Sequence, residues 1–349
     1  MDSVQNSFNN STEIGDQELS DQEISAQEIS AQKQASQEHV DLVSAETQAQ
    51  TDKLIAYVDE QIELLAFDEP DPQLLRQMIE GLSDSRRSVR LRLINAFSEI
   101  GEPATPFLLE GLATHQDLTV RRACCNAMTN LGDEMAVSGL VSALVRDQEM
   151  SVKSAAAGAL AKIGAPAFEA VRGVLASDEA DESCKGHAAW AIATMSKEVQ
   201  DRLYESLNDP SSNVRIAVVG AIAQLAQAQL AQVQNHPPEP DNLLILVDAL
   251  KDTCADVRIE AIAHLARLNY QPAYQPLLDC LQDIEADVRK AAILAISKLD
   301  TRKPSISNTI EKIAPLQQDP SPAVQRVATL VIEQLHNTGS QQKGKGILD

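Results

Sequence analysis

The sequence predicts an all-α fold: an α-solenoid, a superhelix of about eight helical hairpins. Three observations carry this prediction. A thirteen-residue stretch recurs eight times, its apolar positions follow a helical period, and successive copies lie about one helical hairpin apart. A fixed period of that size is the mark of a repeat architecture.

The clearest copy runs from Val152 to Gly164, VKSAAAGALAKIG. With its first valine as position zero, an aliphatic residue or Phe recurs at plus 8: Phe97, Met128, Leu160, Ile192, Ile222, Leu265, Ile296 and Ile332. A second apolar set stands at plus 11: Ile100, Leu131, Ile163, Met195, Leu225, Leu268, Leu299 and Leu335. Plus 7 is small almost throughout, as at Ala96, Ala159 and Ala221. Positions 0, 4, 7, 8 and 11 share one side of a 3.6-residue helix, so each copy reads as an amphipathic helix with one buried stripe.

Position zero is Val89, Val120, Val152, Cys184, Val214, Val257, Val288 and Val324. The next residue is basic in seven copies, from Arg90 to Arg289, and Gln325 is the exception. Five residues before the anchor stands Asp84, Asp147, Asp209, Asp252, Asp283 or Asp319, with His115 and Glu179 in the other two copies. Anchor-to-anchor steps are 31, 32, 32, 30, 43, 31 and 36 residues. The Asp and the base both sit at the edge of the buried stripe. They read first as a ladder of structural contacts between repeats.

In chain order, residues 1–50 are an acidic, low-complexity stretch with the pentads DQELS, DQEIS and AQEIS. A period of five suits neither helix nor strand, and so little apolar surface predicts disorder. Residues 51–70 form a capping helix with Leu54, Ile55, Val58, Ile62, Leu64 and Leu65 on one stripe, ended by Glu69-Pro70-Asp71-Pro72. Solenoids need such a cap over an open end. The array occupies 71–336. Each unit is a first helix, a turn carrying the Asp, and a second helix opening at the valine. The second helices are expected to line the inner face. Residues 227–242, with His236-Pro237-Pro238-Glu239-Pro240, are expected as an inserted Pro-rich loop. Residues 337–349 read as a disordered tail.

The formal net charge is −22, and aromatic residues make up 3% of the chain. Such a surface repels phosphate backbones and lacks stacking platforms, which disfavours nucleic acid as a partner. Five cysteines without a CxxC pair, no opening signal sequence and no apolar run of membrane-spanning length suggest a reduced, soluble, cytoplasmic protein. No Ser/His/Asp order, P-loop, dinucleotide fingerprint or EF-hand occurs, so no catalytic residue is assigned.

The unit D-x4-V-R-x2-A-A-x2-A-L-x2-I-G resembles a HEAT repeat. Its short period resembles the HEAT-like repeats of the phycobilin lyase family: the E/F-type phycocyanobilin lyases and related phycobilisome-degradation factors. The resemblance covers roughly 71–336. It implies a client, either a phycobiliprotein subunit, its linear tetrapyrrole (phycobilin), or both, in chromophore attachment, transfer or phycobilisome turnover. It also implies a second HEAT-repeat subunit as a partner, as in the paired lyases. An alternative branch of the resemblance is a non-enzymatic adaptor, for example a partner of an A-type iron–sulfur cluster scaffold protein. The deoxyhypusine hydroxylase branch holds iron with His-Glu dipeptides, and none occurs here.

Copy four departs from its siblings: Cys184-Lys185-Gly186-His187-Ala188-Ala189-Trp190. Trp190, the sole tryptophan, stands at plus 6, away from the apolar stripe; its counterparts in the adjacent repeats are Gly158 and Gly220. A large ring between two glycines would make a shelf with open space on each side, suited to a flat ligand or a partner's aromatic anchor. His187, Lys185, Lys153, Arg122 and Arg215 complete the expected patch, the cations facing propionates or carboxylates. The bland alternative is that Trp190 packs over a neighbouring helix. Cys184 and His187, three apart, could reach one metal, with Cys125 as a further thiol, but two ligands are not a site and no metal is assigned. Free cysteine is more often a small buried hydrophobe.

Overall fold

The computed structural model describes residues 46–64, 70–232, 241–299 and 306–345, all helix, turn and connecting loop without a strand. The chain divides into two compact units, Met1–Ile100 and Gly101–Asp349. Each is described by itself.

In the first unit, α1 spans 46–63, α2 Pro72–Gly81 and α3 Arg87–Ile100. In α1, residues 46–50, ahead of the expected 51, are already helical. Thr51, Ile55 and Val58 are its buried face, while Leu64 is 66% exposed, so the predicted stripe stops short of that leucine. Leu65 lies outside the described residues. A Cβ at Gly81 would stand 2.9 Å from Leu93 Cδ1 and 3.5 Å from Leu54 Cδ2, so the glycine admits α1 against α2 and α3. Arg86 bridges Asp84 (Nη2–Oδ2 2.8 Å) and Asp52 of α1 (2.8 Å), and Arg92 pairs with Asp59. The Arg86 hydrogen bonds hold the Asp84 carboxyl below its usual range.

The second unit stacks seven hairpins. Its first helices are α4 Thr105–Thr114, α6 Val137–Arg146, α8 Phe168–Ala176, α10 Gln200–Glu205, α12 Asn242–Asp248, α14 Tyr274–Asp279 and α16 Ile306–Ile313. Its second helices are α5 Leu118–Leu131, α7 Met150–Ile163, α9 Glu182–Thr194, α11 Ser212–Gln232, α13 Ala255–Arg267, α15 Ala286–Leu299 and α17 Pro322–Lys345. Each second helix packs beside the next, making one continuous layer. The anchors Val120, Val152, Cys184, Val214, Val257, Val288 and Val324 are all buried, as are plus-8 residues from Met128 to Ile332. Each such side chain contributes about 1.5–3 kcal/mol by leaving water. At plus 12 the backbone turns left-handed, at Gly132 (φ 67°), Gly164 (φ 76°) and Asn269 (φ 51°), which ends the helix and starts the next first helix.

The charged ladder is present, with one geometry repeated. Arg121, Arg215, Arg258 and Arg289 each fork the next repeat's aspartate, Asp147, Asp252, Asp283 and Asp319 respectively, with closest contacts of 2.7–2.8 Å. Their Nη1 atoms donate to the carbonyl six residues back in their own turn, as Arg258 does to Asp252 O at 2.8 Å. Each aspartate Oδ1 also accepts the N–H two residues on, as Asp252 does from Cys254 at 2.7 Å. One carboxylate therefore shapes its own turn and joins two repeats. Gln325 keeps the own-turn half of the contact, donating to Asp319 O at 2.7 Å.

Copy four interrupts the ladder. Glu179 is exposed. Lys153 turns instead to Asp181 Oδ2 (3.5 Å) and Cys184 Sγ (3.3 Å), and Arg172 of α8 takes Asp209 at 2.6 Å where Lys185 was due.

Three boundaries differ from the expectation. Residues 227–232 continue α11 and are not loop, because Ala and Gln there carry no stop signal; Asn242 already belongs to α12, and His236 to Pro240 lie outside the described residues. The backbone of α17 stays helical to Lys345, through Asn337 and Gly339, where the composition predicted a tail without structure. One helical stretch, Ser212–Ala231, is long and apolar enough to cross a membrane (hydropathy 1.4), against the expectation of no such run. Half of it is buried in the second-helix layer and its Arg215 forks Asp252, as a central solenoid helix requires.

Candidate functional site

The site residues are built on α7, α9 and α11. Asp181 caps α9 by accepting the Cys184 N–H at 2.7 Å, and from that start the sixth residue after the anchor turns outward. Trp190 is 52% exposed. Beside it, a Cβ built on Gly158 meets nothing within 4 Å. Gly220 differs: there a Cβ would lie 3.7 Å from His264 Nε2 and 3.8 Å from Glu260 Oε1. Side chains of the following repeat occupy that side. The shelf is therefore open at Gly158 and walled at Gly220, where open space was expected on both.

The wall is a fixed polar chain. Arg267 Nη2 stands 2.6 Å from His264 Nδ1, and His264 Nε2 stands 2.8 Å from Glu260 Oε1. A guanidinium can only donate, so Nδ1 accepts and Nε2 carries the proton donated to Glu260. The His264 hydrogen bond holds the Glu260 carboxyl below its usual range.

Two expected cations are not available to a ligand. Lys153 is 8% exposed and turned to Cys184 and Asp181. Arg215 is held by Asp252, Asp209 O and Pro210 O. The reason is positional: plus 1 faces the adjoining repeat, where each of these two meets an acceptor, whereas Lys185 at the same position finds Asp209 already taken by Arg172. Arg122 and Lys185 are half-buried and make no ion pair among the described residues. His187 Nδ1 donates to Ser183 O at 2.7 Å, which leaves Nε2 as an acceptor without a partner among the described residues. Lys162, one turn beyond Gly158 on the same face, is exposed and was missed. Its spacing of four from Gly158 was the available signal.

The thiols point inward. Cys184 is 1% exposed, donates to Leu144 O at 3.3 Å and accepts from Lys153; burial, then Asp181, pushes its pKa up, so it stays a thiol. Cys125 is fully buried, and burial pushes it up to about 12. Cys184, His187 and Cys125 are thus not assembled around a common point, and no group of three or more metal-ligating side chains occurs among the described residues. A cleft of about 320 Å3 lined by Leu207, Arg215, Val219, Asp252 and Val257 lies on the ladder side, where Arg215 and Asp252 already satisfy each other.

Comparison with known proteins agrees with this architecture. The family described as HEAT repeats matches residues 105–193 and 243–333, and a single HEAT repeat matches 199–229. The chain is 25% identical over 191 residues to the bilin biosynthesis protein MpeU of Synechococcus sp. (strain WH8020), covering 55% of this chain and 62% of that protein. It thus spans less than two thirds of that relative. Among solved structures, the complex of CpcE and CpcF of phycocyanin lyase from Nostoc sp. PCC7120 is 20% identical, with 76% and 95% of the two chains covered and a TM-score of 0.28. The karyopherin Kap121p bound to the SUMO protease Ulp1p is 14% identical, with 82% and 37% covered and a TM-score of 0.45. With its family profile matched over more than half its length, and an α-solenoid of the expected repeats in hand, the chain belongs to the HEAT-repeat family.

Proposed function

We propose that this chain is a binding scaffold for a bilin, a phycobiliprotein subunit that carries one, or both, and that it works by positioning. The carrying observation is the half-exposed Trp190 on α9, with the corresponding position of the adjacent helix α7 held by Gly158, whose Cβ position is open. A conjugated ring system stacks on the indole face, and the glycine lets it approach the helix backbone. His187 Nε2 would accept a pyrrole N–H; Lys162, Lys185 and Arg122 would meet propionates. The similarity to a bilin biosynthesis protein supports this choice of ligand class. The CpcE–CpcF complex suggests a second HEAT-repeat subunit as a further partner.

Titrating the purified chain with a linear tetrapyrrole tests the reading, because Trp190 is the sole tryptophan. Saturable quenching of its emission with a shifted bilin absorption band is expected. Unchanged emission and absorption would remove the bilin reading and leave a protein-only adaptor. The iron–sulfur adaptor draws no support from the thiols, since Cys124, Cys125, Cys184 and Cys280 are buried with pKa values pushed up by that burial.

A further inference from the structure

The outward ridge of each second helix is formed by plus 2, plus 6 and plus 10, spaced one turn apart. In the second unit no position of this ridge is buried. Across α5, α7, α9, α11, α13, α15 and α17 it contains no Asp or Glu, in a chain with 51 acidic and 29 basic residues. Its charges are all positive: Arg122, Lys162, Arg267, Lys290, Lys298 and Arg326. Its middle position becomes apolar again towards the end, with Ala263 exposed, Leu294 43% exposed and Leu330 64% exposed. Around these two leucines, Lys298 and Arg326 are exposed without an ion pair among the described residues, and Lys290 is held by Asp287. Acidic side chains are concentrated instead in the turns, the first helices and residues 1–50.

We infer that the ridge over α13, α15 and α17 docks an acidic amphipathic helix of a protein partner. Charge complementarity selects the sign, because every charge on the ridge itself is positive and carboxylates are their direct complement. The exposed leucines supply anchors that a purely ionic partner would not use. An extended peptide would find no strand edge here to satisfy its backbone, whereas a helix satisfies its own. Adjacent packed helices lie about 8–10 Å apart, and seven residues of helix rise about 10.5 Å. A helix laid across the layer therefore sets apolar residues at i and i+7 over Leu294 and Leu330 in turn. Nucleic acid fits less well: the ridge has one aromatic residue, Trp190, and the acidic turns at its ends repel a long phosphate backbone. The inference deepens the proposed function by naming a partner's chemistry. It rests on the second-helix layer being the binding side.

Three synthetic helical peptides with leucines at i, i+7 and i+14 test it, carrying Glu, Gln or Lys at the flanking positions. Fluorescence anisotropy with the full chain at low salt should show the Glu peptide bound at least tenfold more tightly than the Gln peptide, with the Lys peptide weakest. In a Lys298→Glu/Arg326→Glu variant the order should invert, and Leu294→Ser/Leu330→Ser should weaken both the Glu and the Gln peptides. The four positions are exposed, and an unchanged urea midpoint checks that each variant folds. Equal binding of Glu and Gln peptides, no binding of any peptide, or an order unmoved by charge reversal would overturn the inference. So would a single-stranded RNA oligomer that outcompetes the Glu peptide. Trp190→Ala separates the two proposals: it should abolish the shift of the bilin absorption band and leave the peptide order intact.

Discussion

At the scale of single residues, one atom pair at the copy-four junction accounts for much of its behaviour. Where other repeats place valine and arginine, this junction places Cys184 and Lys153. Lys153 then finds a thiol at 3.3 Å and Asp181 at 3.5 Å in place of a forked carboxylate. Burial keeps Cys184 protonated, which makes it unreactive. Labelling of the native protein with a thiol reagent should therefore modify Cys254, which is half-buried at a helix start, well before Cys124, Cys125, Cys184 or Cys280. Rapid modification of all five would contradict the burial described. The sequence could place Lys153 beside copy four, but not show that its ammonium turns inward; that depends on the Cys184 substitution one repeat away. Gly220 was misjudged for the same reason. What fills its space, His264, belongs to the following repeat.

At the scale of elements, the ladder decides how one hairpin holds the next. Arg258 and Asp283 are 10% and 13% exposed along their side chains, so removing one partner leaves a largely buried charge. Asp283→Ala should cost about 3 kcal/mol in urea unfolding, whereas Arg326→Ala, on the exposed ridge, should cost less than about 0.5 kcal/mol. The ladder also sets a pH dependence. Burial raises the Asp147, Asp252 and Asp283 carboxyls, but the arginine fork and the turn N–H outweigh it and hold each below its ordinary value. Asp319 is lowered first by its Arg289 hydrogen bonds. Groups with depressed folded pKa values contribute stability that is full above their unfolded value of about 4 and is lost as pH falls through the folded one. Stability should be flat from neutral pH to about 5 and fall below about 4; Asp252→Asn should flatten that fall. The second helices and the ladder were legible because their apolar period and Asp–Arg register depend on one repeat and its neighbour. Residues 227–232 of α11 and 337–345 of α17 were not, because their Ala-, Gln- and Gly-containing stretches continue the helix without the apolar stripe by which helix is recognised in sequence.

At the scale of the whole molecule, a solenoid is stable repeat by repeat, so a weak junction matters more than in a globular core. The two junctions on either side of copy four lack the regular rung, and the substitutes there are an ammonium–thiol contact and Arg172 reaching from a first helix. Hydrogen exchange should show the turn around 177–182 opening before the turns at 252–254 and 283–285, which carry the forked rungs. The same stretch holds Trp190, so the least braced junction and the candidate ligand shelf coincide. Bilin should then slow exchange in α9 more than in α13. The most direct measurement of the binding claim is a bilin titration of the wild-type chain beside Gly158→Leu, followed by Trp190 emission. The open volume at Gly158 accepts the leucine without unfolding, and the wild type should show saturable quenching that the variant weakens at least tenfold. Superimposable curves from the two proteins would contradict the shelf.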